Sequence, residues 1–380
     1  MVATARSVEH NAEEVLFVAL ELSEAKWKIG TTVSPGQKAR EKTIDAGDLE
    51  SLAKEIERAK KRFGLPESAL VVSCYEAGRD GFWIHRHLES LGVRNVVVDP
   101  ASIDVNRRKR RAKTDRLDVG KLLSNLMRWW SRERKVWSVA AVPTEEDEDA
   151  RHFHREHETL KKERTAHINR IKGLLKLHGL TLKRIGKKFV KELGELRLWD
   201  GSGLRPQLRQ RLEREYQRLE MVNEQLRVLA RQRQEALRRS EDARLEKIRK
   251  LIGLRGIGEL SAWPIVMELF GWRIFSNRRQ IGSLVGLTGT PYDSGASSRE
   301  LGIDKAGSGR LRALMTEVAW NWTRYQPRSA LTVWFNERFA NGGKRLRKIG
   351  IVAVARKLLI AIWRYLEQDI IPKGAIVEKA

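Results

Sequence analysis

Apolar residues run almost unbroken through LFVALEL (16–22), with Glu21 as the one interruption, which is the pattern of a buried strand. WKIGTTV (27–33) and REKTID (40–45) read as two further strands, set off by a tight turn and by SPGQ. DLESLAKEIERAKKRFG (48–64) switches to helical spacing and stops at a glycine. ALVVSCYE (69–76) is a strand again, GFWIHRHLESLG (81–92) a helix, and VRNVVVDP (93–100) a strand ended by proline. From Thr114 to Trp130 the spacing is once more helical. This order predicts an α/β domain over residues 13–135 whose mixed sheet begins with a meander.

From Pro143 to about Lys250 the pattern becomes helical and highly charged. Leu208, Leu212, Leu219, Val222, Leu226, Leu229 and Ala236 fall on heptad steps broken by Glu215 and Arg233. Phe153, Leu160, Ile171 and Leu174 form a similar stripe within 146–178, and WDGSGLRP between the two stripes is a turn signal. Residues 143–250 are therefore expected to form a long helical coiled coil, either an antiparallel hairpin or a dimerising pair that holds protomers together. In RHFHREH (151–157), His152, His154 and His157 do not share one helical face; surface or RNA contact is expected, not zinc. Residues 251–372 read as a mainly helical third domain. Its opening, LIGLRGIGELSA (251–262), resembles a helix-hairpin-helix turn, where Gly256 and Gly258 either let backbone N–H groups reach a phosphate or form a plain turn. KIGIVAVARKLLIAIWRYL (348–366) is apolar on most sides and reads as core, as do Trp320, Trp322, Trp334 and Trp363.

Charge changes the picture. Lys and Arg number 74 against 49 Asp and Glu, a net charge of +25, which points to a nucleic-acid partner. A membrane role is disfavoured, because no apolar run reaches the ~18–20 residues of a spanning helix. The N-terminus lacks the apolar stretch of a signal peptide, and Cys74 is the only cysteine, so a cytoplasmic protein without disulfides is expected. The most basic stretch, RRKRRAKTDRLDVGKLL (107–123), offers Arg107, Arg108, Lys109, Arg110, Arg111 and Lys113 to phosphates. It also sets Asp115 and Asp118 among them.

Those aspartates are either helix N-terminal acids offsetting arginines or ligands for a cation. The strand order favours the second reading. It matches a ribonuclease-H-like (RuvC-like) fold, in which the first and fourth strands are neighbours and the last helix crosses their ends. Glu21 in the first strand, Glu76 at the end of the fourth, and Asp115 and Asp118 on one face of that helix would converge. Like charges so close call for hard cations such as Mg²⁺, and two such ions can clamp the oxygens of a phosphoryl transfer. A second constellation is GLTGTPYDSGASSRELGIDKAGSGRLR (286–312), read as a Gly/Ser loop framed by Arg299, Lys305, Arg310 and Arg312. Spacing leaves Ser294, Ser297, Ser298, Ser308 and Tyr292 as competing hydroxyls.

CYEAGRDG, AKTDRLD and the SG loop ahead of GIDKAGSGRLR together resemble the DEDD transposases of the insertion-sequence one-ten family, the bridge-RNA-guided recombinases, over almost the whole chain. The resemblance implies four metal-binding acids at Glu21, Glu76, Asp115 and Asp118, holding two Mg²⁺ ions, and a serine nucleophile at Ser294. It departs at Glu21, where the family pattern usually has aspartate. It further implies a covalent serine–DNA intermediate, donor and target DNA as substrates, a structured non-coding bridge RNA as guide, a tetramer built as a dimer of dimers, and residence in the prokaryotic nucleoid. Two rivals share the charge: a metal-dependent junction resolvase acting by hydrolysis, and a non-catalytic nucleic-acid scaffold.

Overall fold

Both faces of β1 (Val15–Leu22) are covered, so six consecutive residues of it are buried. Leu16, Val18 and Leu20 enter one core, while Val15, Phe17 and Ala19 enter another on the opposite side of the sheet. β2 (Lys26–Thr32) and β3 (Arg40–Asp45) follow antiparallel as a meander. β4 (Leu70–Glu76) and β5 (Arg94–Val98) pair in parallel on the other side of β1, giving the order β3-β2-β1-β4-β5. Helices α1 (Leu49–Arg62) and α2 (Trp83–Ser90) line the first core, and α3 (Asp115–Trp130) lines the second. Asp48 fixes the start of α1 by accepting from the Ser51 backbone N–H at 2.9 Å.

These elements belong to the first of two compact units, residues 1–143 and 144–380. The computed structural model describes residues 15–78, 81–103, 115–133, 135–239, 241–294 and 297–378, without the side chains of 101, 115–118, 291–294 and 297–301.

The second unit opens with α4 (Glu145–Lys176), capped by Thr144, whose Oγ1 accepts from the Asp147 N–H at 3.1 Å. The chain then passes through α5 (Phe189–Glu195) and returns in α6 (Pro206–Arg239). Ile171 and Leu175 meet Leu212 and Leu219 near one end, and Leu160 meets Val222 and Leu229 further along, so the two long helices are antiparallel. Of the two arrangements the heptads leave open, the structure has the hairpin within one chain. Glu215 and Arg233, which interrupt the apolar seam, are buried with partners. Glu215 bonds His167 Nδ1 on α4 at 2.6 Å, and Arg233 Nε donates to Glu259 at 3.0 Å.

α7 (Ala243–Ile252) and α8 (Glu259–Ile265) follow, with a π-helical turn over Val266–Phe270. Next come α9 (Arg278–Val285), β6 (Gly289–Ser294), β7 (Ser297–Ile303), α10 (Gly309–Tyr325), α11 (Ala330–Phe335) and α12 (Lys344–Gln368). Phe270, Met315, Trp322 and Leu358 share one core. The segment read as a Gly/Ser loop is instead a β-hairpin, β6 paired antiparallel with β7. α12 gives only one stripe to the core (Ile351, Val354, Leu358, Ile362) and carries cations along another. Trp322 is fully buried, whereas Trp320 is 39 % exposed. Among the described residues, no helix is long and apolar enough to cross a membrane.

Candidate active site and nucleic-acid contacts

Strand alternation and register place the two glutamates. Ala19 on β1 and Cys74 on β4 are register partners and both face α3. Glu21 and Glu76, each two residues further on, therefore occupy the same face of adjacent parallel strands. Both are half-buried. Glu21 also stands opposite Lys28 on β2, and Glu76 opposite Val98 on β5.

The middle of α3 lies over the row formed by Gly30, Ala19 and Cys74. Val119 and Leu123 press against Gly30, and the buried Cys74 thiol points at the Leu122 carbonyl at 3.9 Å. Burial pushes the Cys74 pKa up, with the Glu76 charge adding to it, so the thiol stays protonated. Further along α3, Leu123 and Met127 flank Thr32, next to the N-terminal half of β1. The first turn of α3 thus points the other way, toward the strand ends that carry Glu21 and Glu76. Stepping back from Leu122 to Asp118 covers about 6 Å of helix, and from Ala19 to Glu21 about 7 Å of strand. Backbone geometry thus brings the turn holding Asp115 and Asp118 to the same end of the sheet as the two glutamates. The side chains of both aspartates lie outside the described residues, as does the whole run from Arg107 to Lys113. Among the described residues, no group of three His, Cys, Asp or Glu side chains could hold a metal ion.

Ser294 is the last residue of β6 and pairs with Ser297 across the tip of the hairpin. Arg299 lies on β7 opposite Tyr292. Ser308, one of the competing hydroxyls, is the N-cap of α10 and accepts from the Leu311 N–H at 3.3 Å. Lys305 is exposed and adopts a positive φ of 60°.

Other residues expected at a nucleic acid have partners within the chain. Arg310 and Arg155 both reach Glu268, with Arg155 bidentate at 2.8 and 3.0 Å. His154, expected on the surface, is buried, with Nε2 2.9 Å from Glu268 and 2.8 Å from Arg310. Burial alone would raise the Glu268 pKa, but the hydrogen bonds from His154 and Arg155 and the charges of Arg155 and Arg310 hold it well below the usual carboxylate range. Burial depresses the His154 pKa, outweighing the attraction of Glu268. Arg312 donates to the Val285 carbonyl at the end of α9 at 3.2 Å. Gly256 has φ +92°, and a Cβ there would sit 3.3 Å from the Asn321 carbonyl oxygen and from Tyr325 Cβ. Close approach to α10 and the positive φ are reasons in the fold for a glycine there. Gly258 precedes α8 as its N-cap, with open space beside it.

Sequence reasoning missed a row of cations on α9 and α12, treating α12 as core alone. The signal was present in Lys344, Lys348 and Arg356, which recur at multiples of four and so share a helical stripe.

Residues 248–333 match the family model of the IS116/IS110/IS902 family of transposases. The chain is 38 % identical over 378 residues to y4rJ of Sinorhizobium fredii, a transposase by name, covering 96 % of this chain and 94 % of that protein. It is 27 % identical to the transposase for insertion sequence element IS1111A of Coxiella burnetii, over 60 % of each chain. It is 26 % identical to the transposase for IS1533 of Leptospira borgpetersenii, over 65 % of this chain and 69 % of that one. These similarities define the class as a DNA-transposing enzyme. The chain belongs to the IS116/IS110/IS902 family of transposases.

Proposed function

We propose that this transposase cuts and rejoins DNA with a serine nucleophile, Ser294, assisted by cations bound to Glu21, Glu76, Asp115 and Asp118 in a ribonuclease-H-like unit. One observation carries the reading: β1 and β4 are parallel neighbours that put Glu21 and Glu76 on the face crossed by α3, whose first turn bears both aspartates. Four carboxylates offer only hard oxygen donors, which fits Mg²⁺ and excludes nothing needed for two ions. When bound, such ions would neutralise the scissile phosphate and lower the barrier to displacement.

The chain's own residues supply the rest. Ser294, the last residue of β6, is the proposed source of the attacking alcohol. Its Oγ forms a new bond to phosphorus while the bond to the departing deoxyribose oxygen breaks; the serine proton is given up and the leaving oxygen takes one. The resulting serine phosphodiester conserves bond energy, so a DNA hydroxyl can reverse the step on another strand without ATP. Target choice is assigned to a structured bridge RNA, since cationic side chains bind backbones without reading sequence. Assembly as a dimer of dimers completes the proposal.

The test is formation of recombination junctions in cells carrying the element with its flanking non-coding DNA. Wild type should form junctions, and Ser294→Ala and Asp115→Asn/Asp118→Asn should form none while remaining folded. Junctions that persist with Ser294→Ala would reject this nucleophile and favour hydrolysis by activated water.

A further inference from the structure

A groove of about 1190 Å³ lies between α9, the base of the β6–β7 hairpin and α12. Its rim carries Arg278 and Arg279 from α9, Lys305 from the hairpin's exit, and Lys344, Lys348 and Arg356 from α12. Among the described residues none of these six is in an ion pair, in contrast to Arg155, Arg233, Arg244 and Arg310 of the same unit, which all have carboxylate partners. Five of the six are exposed, and Arg356 is half-buried. Unpaired cations so concentrated repel one another, so the groove is an electrostatic demand for a polyanion.

The floor narrows the choice of polyanion. It is apolar, formed by Leu287, Ile303, Val352 and Ile360, and Lys357 Nζ sits 4.6 Å over the Trp334 ring at its wall. The described lining includes no hydroxyl, amide or carboxylate side chain. A duplex would present phosphates and water-filled grooves to such a floor, whereas a single strand can lay bases and sugars on it. A ribose 2′-OH would find no side-chain acceptor there, and no amide is available to read base edges.

We propose that this groove is a track for a single strand of DNA, bound without sequence preference and led along the hairpin toward its tip. It rests on the reading of the chain as a DNA-cutting transposase with Ser294 at that tip. Gly289 and Ile303, at the hairpin's base, border the groove, and five strand steps of about 3.4 Å separate Gly289 from Ser294. A strand seated in the groove is thus delivered to within about 17 Å of the nucleophile's end of the hairpin.

The experiment measures binding of a fluorescein-labelled 30-nucleotide DNA strand to the full chain by anisotropy between 50 and 200 mM salt. Arg278→Gln/Arg279→Gln/Lys344→Gln/Lys348→Gln is compared with a control of equal charge change on the helical hairpin, Lys161→Gln/Lys162→Gln/Arg164→Gln/Arg214→Gln. All eight positions are exposed, and equal melting temperatures establish folding. Four lost phosphate contacts should lower the slope of log K against log salt by about 2.8. Wild type should therefore lose about 50-fold more affinity across that range than the groove variant. The control should keep the wild-type slope. Equal slope loss in both variants, or none in the groove variant, overturns the assignment. So does an RNA strand of the same sequence that binds as tightly with the same groove dependence, or anionic phosphatidylserine vesicles that need the groove cations when DNA does not. A groove variant with wild-type slope that still forms junctions removes the groove and leaves transposition standing. Junctions that persist with Ser294→Ala remove the nucleophile whatever the groove variant does.

Discussion

Gly30 offers a way to move Asp115 and Asp118, the aspartates proposed to bind metal, without touching them. It lies in β2 beneath α3, and a Cβ at that position would sit 2.3 Å from Val119 Cγ1 and 2.9 Å from Leu123 Cδ1. Carbon atoms in contact prefer about 3.5–4.0 Å, so Gly30→Ala forces α3 or the Val119 side chain away from the sheet by more than about 1 Å. In a strand with room for it, Gly→Ala would stabilise by about 0.4–1 kcal/mol through the unfolded chain. Here overpacking reverses the sign, to a loss of about 1–3 kcal/mol. At about 2–4 °C per kcal/mol, the melting temperature should fall by about 2–12 °C. The functional loss should be larger, because a shift of about 1 Å in the first turn of α3 can cost about 100-fold in rate. Junction formation and urea unfolding would be measured for Gly30→Ala, Val119→Ala and the double variant. Removing the Val119 methyl groups makes room, so Gly30→Ala should cost at least about 1 kcal/mol less in the Val119→Ala background. If the two substitutions add within about 0.5 kcal/mol, α3 is not seated on Gly30 and the placement of Asp115 and Asp118 fails with it.

Three further outcomes follow from the helical unit. Glu268→Gln leaves His154, Arg155 and Arg310 facing one another; urea unfolding should show a loss of about 2–3 kcal/mol, below that of a fully buried pair because both arginines keep access to water. Burial depresses the His154 pKa, so the unfolded chain takes up that proton more readily; stability should therefore fall as pH drops below the ordinary histidine value, and His154→Gln should flatten that part of the curve. The depressed Glu268 pKa acts with the same sign at lower pH, where its contribution present above the ordinary glutamate range is lost. Gly256→Ala should lower the melting temperature through strain at positive φ and contact with α10, while DNA affinity measured below that temperature stays at the wild-type value.

The first unit was legible in the sequence because its signals are local. LFVALEL, WKIGTTV and ALVVSCYE each carry strand periodicity, and the element order then limits how they can pair. Matched to a ribonuclease-H-like strand order, they put Glu21 and Glu76 on neighbouring strands. The hairpin holding Ser294 looks like a loop in the sequence, since Gly, Ser and Pro crowd TGTPYDSGASS and mask the alternation of its two strands. The burial of His154 and its link to Arg310 are invisible in the sequence for a different reason. Their shared partner, Glu268, is 114 residues from His154 and 42 from Arg310, and nothing near either residue announces it. The cations of α9 and α12 become one surface only when the two helices pack together.

The hairpin of α4 and α6 sets a condition on how copies of this chain can meet. Ile171 already meets Leu212 and Leu219, and Leu160 meets Val222 and Leu229, inside a single chain. Zipping two chains along that stripe would first prise the arm apart and strip Glu215 of His167 and Arg170. Buried Glu215 also opposes a slip of one helix along the other, since a shift by a turn separates it from His167 and Arg170. The arm is therefore a ruler of set length, about 50 Å for the 34 residues of α6. Its outward faces are left to do any joining. Those faces are dense in Arg and Glu, so subunits held through them would loosen as salt rises, long before the arm itself gives way.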